Sequence, residues 1–195
     1  MRFIHAVLAL ICISAQAQVN PPAQALVNPS GQVPVKQYYR IDDHIWRGRQ
    51  PRHEAWPWLA QQGFKTVLDL RGGPIHKPHE RKLVEAAGMQ YISIRLSGIW
   101  EPKDVQIAQI VSVMGDPARW PIFMHCRRGD DRLGEAIACY RIAHDHWTNQ
   151  QAYQEACKQG LNPLEVLMRY YVRHFDPARL PDPPPLTASN AAPRN

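Results

Sequence analysis

His125-Cys126-Arg127-Arg128-Gly129-Asp130-Asp131-Arg132 is the stretch that decides how this chain folds. The residues before it, Pro121 to His125, form a short apolar run that is typical of a buried strand. The residues after it, Leu133 to Tyr140, are apolar on nearly every face, which is typical of a buried helix. The sequence therefore predicts a strand, a tight loop and a helix, with Cys126 at the carboxyl end of the strand.

A loop in this position is suited to binding a phosphate. Its backbone N–H groups point inward, and the following helix adds the partial positive charge of its N-terminus. The same dipoles stabilise a thiolate, which is the nucleophilic form of Cys126. Arg132 offers a planar guanidinium that can bind two phosphate oxygens at once. Gly129 stands where the loop must turn sharply or let its backbone approach a ligand.

Strand and helix patterns alternate on both sides of this loop. The predicted strands are Lys65 to Leu70 and Gln90 to Leu96. Two predicted helices are His79 to Ala87 and Pro102 to Met114. A third helix runs from Thr148 to Gly160 and opens with a capping box, and a fourth begins at Asn162-Pro163 with an apolar side that faces inward from Leu164 onward. Such alternation predicts an α/β domain with a mostly parallel central sheet flanked by helices. Ligands of these sheets bind at the carboxyl ends of the strands, where Cys126 is placed.

The pattern His-Cys-x5-Arg resembles the signature loop of the cysteine-dependent protein tyrosine and dual-specificity phosphatases. Ile45-Trp46-Arg47-Gly48-Arg49-Gln50-Pro51 is similar to the opening segment of the small atypical dual-specificity group found in bacteria, plants and fungi. Gly63 to Arg71 resembles that group's first core strand. The resemblance spans about residues 38–177 and implies a dual-specificity phosphatase-like fold. It also implies hydrolysis of phosphomonoesters of tyrosine, serine, threonine or phosphoinositides through a phosphocysteine.

In that family the cysteine attacks phosphorus while the arginine and the loop amides bind the equatorial oxygens, which implies that Cys126 and Arg132 are catalytic. The rest of the implied substrate-binding loop is Arg127, Arg128, Gly129 and Asp130. Arg127 and Arg128 either attract highly charged substrates or form solvated pairs with Asp130.

One position departs from the family pattern. Members usually carry Ser or Thr after the arginine, where the hydroxyl assists departure of the thiolate, and here that residue is Leu133. An inactive protein that binds phosphorylated ligands is the alternative favoured by this departure. A rhodanese-like sulfurtransferase is a third hypothesis, and it is disfavoured because its loop is usually shorter and lacks an arginine at this spacing.

The general acid is a choice among three carboxylates. A positioned acid contributes about 10²- to 10⁴-fold to expelling an alkoxide or phenoxide. Relatives usually supply an Asp from an upstream loop, and the corresponding region here, Ser97 to Asp104, offers Glu101 and Asp104. Both are alternatively expected in a first helical turn, where carboxylates complement the helix dipole. Asp131 resembles a loop Asp of the myotubularin-like phosphatases, and its roles as acid and as structural carboxylate are weighed evenly.

No cofactor or metal is expected. The pairs His76/His79 and His144/His146 are spaced loosely like metal ligands, but no cysteine or carboxylate cluster completes either set. The formal net charge is +6, yet the basic residues are scattered and no aromatic-basic motif is present, which argues against nucleic-acid binding. The expected partner is a phosphorylated protein or a small phosphoester.

The chain begins like an exported protein. A basic start, an apolar stretch from Phe3 to Ile13 and the small residues Ala15 and Ala17 predict a secretory signal peptide over residues 1–17. The apolar stretch is too short to anchor the mature protein in a bilayer, so a periplasmic or secreted protein is expected.

Proline content divides the rest of the chain. We predict a Pro-rich linker over residues 18–37, the phosphatase domain over residues 38–177 and a disordered Pro-rich tail over residues 178–195.

Overall fold

The structure, a computed structural model, describes residues 33–71 and 77–186. The strands are β1 Tyr39–Arg40, β2 Ile45–Arg49, β3 Thr66–Asp69, β4 Gln90–Ser93 and β5 Ile122–Cys126. The helices are α1 Ala55–Gln61, α2 Lys77–Ala86, α3 Asp104–Met114, α4 Asp131–Ala143, α5 Asn149–Lys158 and α6 Val166–His174. Short 3-10 turns occupy Pro117–Arg119 and Pro177–Arg179.

The five strands form one sheet in the order β1-β2-β5-β3-β4. The short β1 runs antiparallel to β2, and the other neighbouring strands are parallel. The register places Arg49 opposite Cys126 and Asp69 opposite His125. The carboxyl ends of β2, β3 and β5 therefore meet at the start of the loop that follows Cys126.

Successive strand residues point to opposite faces of the sheet, and each face is covered. Leu68 and Met124 pack with α3 to α6 in one core cluster. Val67 and Phe123 point the other way and pack with α1 and α2 in a second cluster. The predicted α/β architecture, with a mostly parallel sheet flanked by helices, is confirmed.

The helix that the sequence places at Asn162-Pro163 begins later, at Val166. The side-chain oxygen of Asn162 accepts the backbone N–H of Leu164 at 2.9 Å, which holds this segment in a turn. Leu164 therefore lies outside the helix and is 84% exposed, so its expected place on the apolar side is wrong. Met168 and Tyr171 on the same predicted face are buried.

Packing against the domain begins before residue 38, within the segment 18–37 that the sequence predicts as a linker. Val35 is 4% exposed and packs in the second core cluster. The backbone carbonyl of Lys36 accepts the N–H of Arg49 at 2.9 Å. The predicted signal peptide and the linker up to residue 32 lie outside the described residues.

Part of the segment 178–195, which the sequence predicts as a disordered tail, contacts the domain. Leu180 and Leu186 pack against the main core cluster, and Arg179 donates to Asp104 at 3.2 Å. The prolines of this segment limit regular structure without preventing these contacts. Over residues 33–71 and 77–186, no helix combines the length and hydropathy needed to cross a membrane.

Candidate active site

Cys126 ends β5, and α4 begins at Asp131, so residues 127–130 form the tight loop that the sequence predicts. We call residues 126–132 the cradle. The backbone N–H of Gly129 donates to Cys126 Sγ at 3.3 Å. Cys126 is only 3% exposed, so its sulfur lies at the base of the cradle under the dipole of α4.

Gly129 is required by two separate features of the loop. Its φ is +93°, in the left-handed region that side chains disfavour. A Cβ at this position would lie 2.7 Å from Gln37 Oε1 and 2.9 Å from the backbone nitrogen of Arg49. The loop therefore packs its backbone directly on the end of β2 and on the segment before β1.

Arg47 holds the cradle from behind. Its side chain is fully buried, and its guanidinium donates to the carbonyl of Gly129 and to Gln159 Oε1 at the end of α5. Burial lowers the pKa of Arg47, and the nearby Cys126 and Asp130 oppose that shift. Arg47 was not among the predicted site residues, although it lies in the segment Ile45 to Pro51 that resembles the family.

His125 lies beneath the cradle in a network of buried charges. Its Nε2 is 3.0 Å from Glu80 Oε1, and its Nδ1 is 4.0 Å from Asp69 Oδ1. Burial lowers the pKa of His125, but the two carboxylates raise it by more, so the net shift is upward. His125 Nδ1 also lies 3.3 Å from the backbone carbonyl oxygen of Cys126, so the ring contacts the start of the loop from behind.

Asp69, Glu80 and His125 bring possible ligand atoms within 4.8 Å of one another. Arg71 already occupies this cluster, since its guanidinium lies 2.8 Å from Asp69 and 2.6 Å from Glu80. Tyr91 also donates to Asp69 at 2.6 Å. Burial raises the pKa of Asp69, but His125, Arg71 and Tyr91 lower it by more. The cluster is therefore a self-neutralised ion network and does not fit a metal centre.

A cavity of about 430 Å³, the cradle cavity, opens above the sulfur. Residues that line it include Gly98, Cys126, Arg127, Asp131, Arg132 and Glu165. The loop that carries Gly98 closes over Arg132, since a Cβ on Gly98 would lie 3.4 Å from the Arg132 guanidinium. Leu133 is fully buried in the core and brings no hydroxyl toward the sulfur.

The structure does not bring Glu101 and Asp104 together with Cys126. Both line a separate cavity of about 110 Å³ beside α6. Asp104 is the first residue of α3 and accepts from the Tyr171 hydroxyl at 2.8 Å and from Arg179 at 3.2 Å. Because these partners hold Asp104 at the helix start, it occupies the dipole-complementing position that was its alternative role.

Asp131 lies in the cradle, but both of its oxygens are engaged. One accepts from Arg128 at 2.7 Å and the other from the backbone N–H of Asn162 at 3.0 Å. Arg128 thus pairs with Asp131. The alternative, a pair between Arg128 and Asp130, is not formed. Asp130 instead accepts from Gln37 at 2.8 Å. The two aspartates tie the loop to neighbouring segments.

Two glutamates near the cradle were missed by the sequence analysis. Glu165 lines the cradle cavity from the residue before α6, and its carboxylate makes no hydrogen bond or ion pair within the described residues. Glu135 is fully buried in α4, and burial, reinforced by Glu101 and Glu165, raises its pKa to about 8 against the opposing effect of Arg132. Glu135 could have been noticed from the sequence, because it is a glutamate within the apolar stretch after Arg132. Glu165 could not, because only tertiary packing places it beside the cradle cavity.

The family of proteins described as "DSP-PTPase phosphatase fused to NAD+ Kinase" has a model that matches residues 25–167. The chain belongs to this family of cysteine-dependent dual-specificity-type phosphatases. The resemblance carried by the Cys-x5-Arg loop is confirmed.

Curated relatives are similar over part of their length. The chain is 27% identical over 107 residues to "NAD kinase 2, chloroplastic" of Arabidopsis thaliana, a match that covers 53% of this chain and 11% of that protein. It is 23% identical over 150 residues to "Inositol diphosphatase SIW14" of Saccharomyces cerevisiae, covering 74% of this chain and 52% of the relative. It is 25% identical over 144 residues to "Dual specificity protein phosphatase TpbA" of Pseudomonas aeruginosa, covering 71% and 62%. The chain thus spans about half or less of the first two relatives.

Solved structures share the fold. The catalytic domain of the PP-IP phosphatase SIW14 from S. cerevisiae, in complex with citrate, superposes with a TM-score of 0.66 at 20% identity, covering 76% of this chain and 90% of that one. TpbA from P. aeruginosa in complex with pTyr gives a TM-score of 0.63 at 22% identity, covering 82% and 96%. The dual-specificity phosphatase-like fold is therefore confirmed.

Proposed function

We propose that this protein hydrolyses phosphate monoesters through a phosphocysteine formed on Cys126. The observation that carries the proposal is the cradle itself, where Cys126 Sγ accepts the Gly129 N–H at 3.3 Å and shares a cavity with Arg132. Membership of the phosphatase family supports the same chemistry. No step requires a metal, because the loop dipoles and Arg132 supply the charge that stabilises the phosphoryl oxygens.

The reaction has two steps. Cys126 Sγ attacks phosphorus, the P–O bond to the leaving group breaks, and a general acid gives its proton to the departing oxygen. Water then attacks phosphorus, the P–S bond breaks, and the same residue, now a base, takes the water proton. Loop N–H groups and Arg132 bind the equatorial oxygens in both steps.

We assign the general acid to Glu165. Asp131 and Glu165 are the carboxylates among the described residues that line the cradle cavity. Asp131 is committed to Arg128 and Asn162, whereas Glu165 has no hydrogen-bond or ion-pair partner within the described residues. A free carboxylate in this position can reach a leaving group bound above Cys126.

Matched substrates test the assignment. The Glu165→Gln variant should lower kcat/KM, which reports formation of the phosphocysteine, by about 10²-fold or more for phenyl phosphate. It should lower kcat/KM much less for p-nitrophenyl phosphate, because p-nitrophenolate departs with little need of a proton. Glu101→Gln, altered in the separate cavity, is the matched control and should leave both rates unchanged. Equal losses on the two substrates would assign Glu165 a structural role. The Cys126→Ser variant should be inactive on both.

Leu133 favours a second candidate function. Its side chain is buried and carries no hydroxyl that could help the thiolate leave, so the phosphocysteine would break down slowly or not form productively. A protein that only binds phosphorylated ligands would retain orthophosphate binding by calorimetry while releasing no product from p-nitrophenyl phosphate. Thiocyanate formation from thiosulfate and cyanide would instead support a sulfurtransferase.

We also propose that the protein is exported and acts in the periplasm or outside the cell. The basic and apolar residues of segment 1–17 support this proposal. Expression of the full chain followed by fractionation and N-terminal sequencing tests it, and the expected mature protein begins at Gln18. A protein that keeps Met1 and stays in the cytoplasmic fraction would contradict export.

A further inference from the structure

Large apolar side chains are exposed in two short segments beside the cradle. One segment is the loop before α3, and the other comprises the residue two positions before α6 and the first half of that helix. Five side chains of these segments are between 55% and 84% exposed. We call them the apolar rim, which consists of Ile99, Trp100, Leu164, Val166 and Tyr170. Apolar side chains concentrated in this way on a surface mark an interaction site.

The two segments of the apolar rim belong to one surface. Gly98, in the loop before α3, lines the cradle cavity together with Glu165. Glu101, in the same loop, lines the separate cavity beside α6 together with Tyr170. The loop and the start of α6 therefore face each other across both cavities, and the apolar rim flanks the opening of the cradle.

Turns hold both parts of the apolar rim in place. The hydroxyl oxygen of Ser97 accepts the backbone N–H groups of Ile99 at 3.1 Å and of Trp100 at 2.9 Å. Asn162 holds Leu164 in the same way, since its side-chain oxygen accepts the Leu164 N–H at 2.9 Å. Because the backbone is already fixed, binding through these side chains costs little further conformational entropy.

The apolar rim projects from the surface and does not line a groove. Ile99, Trp100, Leu164 and Val166 are not lining residues of the cradle cavity or of the separate cavity beside α6. A peptide is usually held in a groove or along a strand edge, whereas apolar side chains that project from turns can enter the fluid interface of a bilayer. Trp and Tyr are enriched at that interface, because their rings combine an apolar body with a polar atom.

The surface around the apolar rim is positively charged. Residues 95–104, 126–132 and 162–174 contain seven arginines and lysines and five carboxylates, which leaves a formal net charge of +2. Lys103 and Arg173 are exposed within these segments. Basic side chains beside apolar ones favour a bilayer whose headgroups are anionic over one whose headgroups are neutral.

We infer that the apolar rim docks this protein on the surface of an anionic lipid bilayer, with Trp100 and Leu164 inserted at the level of the headgroups. Docking turns the opening of the cradle toward the bilayer, because the apolar rim flanks that opening. The inference goes beyond the proposed function and does not require hydrolysis.

Tryptophan fluorescence measures the docking directly. All six tryptophans of the chain lie within the described residues, and Trp100 is the one that is exposed. Vesicles of phosphatidylglycerol that is brominated in its acyl chains should quench the fluorescence, because bromine quenches a tryptophan that it contacts. The Trp100→Phe variant keeps an aromatic ring, so it should still sediment with the vesicles while losing the quenching. No quenching of the wild type, or the same quenching in Trp100→Phe, would overturn the inference.

Sedimentation with phosphatidylglycerol vesicles tests the aliphatic and charged parts of the surface. Leu164→Ser should lower the partition coefficient about tenfold, which is the effect of losing one buried leucine side chain. Tyr39→Ser, which alters an exposed side chain of β1, is the control and should change it by less than about twofold. Vesicles of phosphatidylcholine alone should bind more weakly. Equal losses in the two variants, or equal binding to the two lipids, would overturn the inference. Residues 1–17 are common to all variants, so they do not affect the comparison.

The outcomes separate docking from the proposed function. The Cys126→Ser variant should bind vesicles as the wild type does. A wild-type protein that is quenched by the vesicles but releases no p-nitrophenol would contradict the proposed function and still support docking. If Leu164→Ser raises KM for a phosphopeptide and leaves vesicle binding unchanged, the apolar rim binds a protein substrate and the inference is overturned.

Discussion

Glu135 gives the stability of this protein a specific dependence on pH. Its carboxyl group is fully buried in α4, and neither oxygen makes a hydrogen bond within the described residues. Burial, together with the nearby charges of Glu101 and Glu165, raises its pKa from 4.5 to about 8. The folded protein therefore holds this group as a neutral acid at neutral pH, and the Glu135→Gln variant replaces it with a group that never ionises.

The sign of the effect follows from proton uptake by the two states. Between pH 4.5 and about pH 8 the unfolded chain loses the Glu135 proton while the folded protein keeps it. Through this group, rising pH therefore favours the unfolded state between these two pH values. Above about pH 8 Glu135 is ionised in both states and has no further effect on stability. One pKa unit corresponds to about 1.4 kcal/mol, so the free energy of unfolding should fall by about 3 to 4 kcal/mol between pH 5 and pH 8 because of this group.

Urea unfolding of the wild type and the Glu135→Gln variant measures this difference. The stability of the variant relative to the wild type should increase by about 3 to 4 kcal/mol from pH 5 to pH 8. Glu54→Gln, which changes an exposed carboxylate, is the control and should show no such trend. A difference that stays constant with pH, or one that grows as pH falls, would refute the reasoning. If the glutamine variant does not fold, Glu135→Met gives the same comparison with an apolar side chain of similar length.

Three further predictions concern the cradle. Gly129→Ala should destabilise the protein by about 1 to 3 kcal/mol in thermal unfolding and abolish orthophosphate binding, since the loop combines a left-handed φ with contacts to Gln37 and Arg49; normal binding would show that the loop tolerates a side chain. Leu133→Thr should raise the rate of phosphocysteine breakdown by about tenfold or more, measured as loss of the p-nitrophenol burst. An unchanged burst would show that a hydroxyl at this position does not assist breakdown. Arg47→Met should cost about 1 to 3 kcal/mol in urea unfolding because it leaves the Gly129 carbonyl without its partner, and Arg47→Lys should recover part of that loss.

The cradle was predictable because its determinants are consecutive in the sequence. An apolar run, a cysteine, a glycine and an arginine at fixed spacing specify a strand, a loop and a helix without reference to distant residues. The capping box of Thr148 and Gln151 was equally local, and both of its hydrogen bonds are present.

Residues that reach the cradle from elsewhere could not be found in this way. Glu165 reaches the cavity because α6 packs on α4, and Arg49 reaches it because β2 pairs with β5 in one register. The choice between the two roles left open for Asp104 depended on Tyr171 and Arg179, which come from distant parts of the chain. The local pattern thus predicts Cys126 as the nucleophile, whereas tertiary packing decides which carboxylates line the cradle cavity.

The most direct test of the account is to trap the covalent intermediate. The wild-type protein is mixed with p-nitrophenyl phosphate, quenched rapidly and analysed by peptide mass spectrometry, with Cys126→Ser as the control. The phosphocysteine mechanism predicts one added PO₃ group on the peptide that contains Cys126, formed together with the first equivalent of p-nitrophenol and absent from the serine variant. Release of p-nitrophenol by the serine variant, or a PO₃ group attached to any other residue, would contradict it.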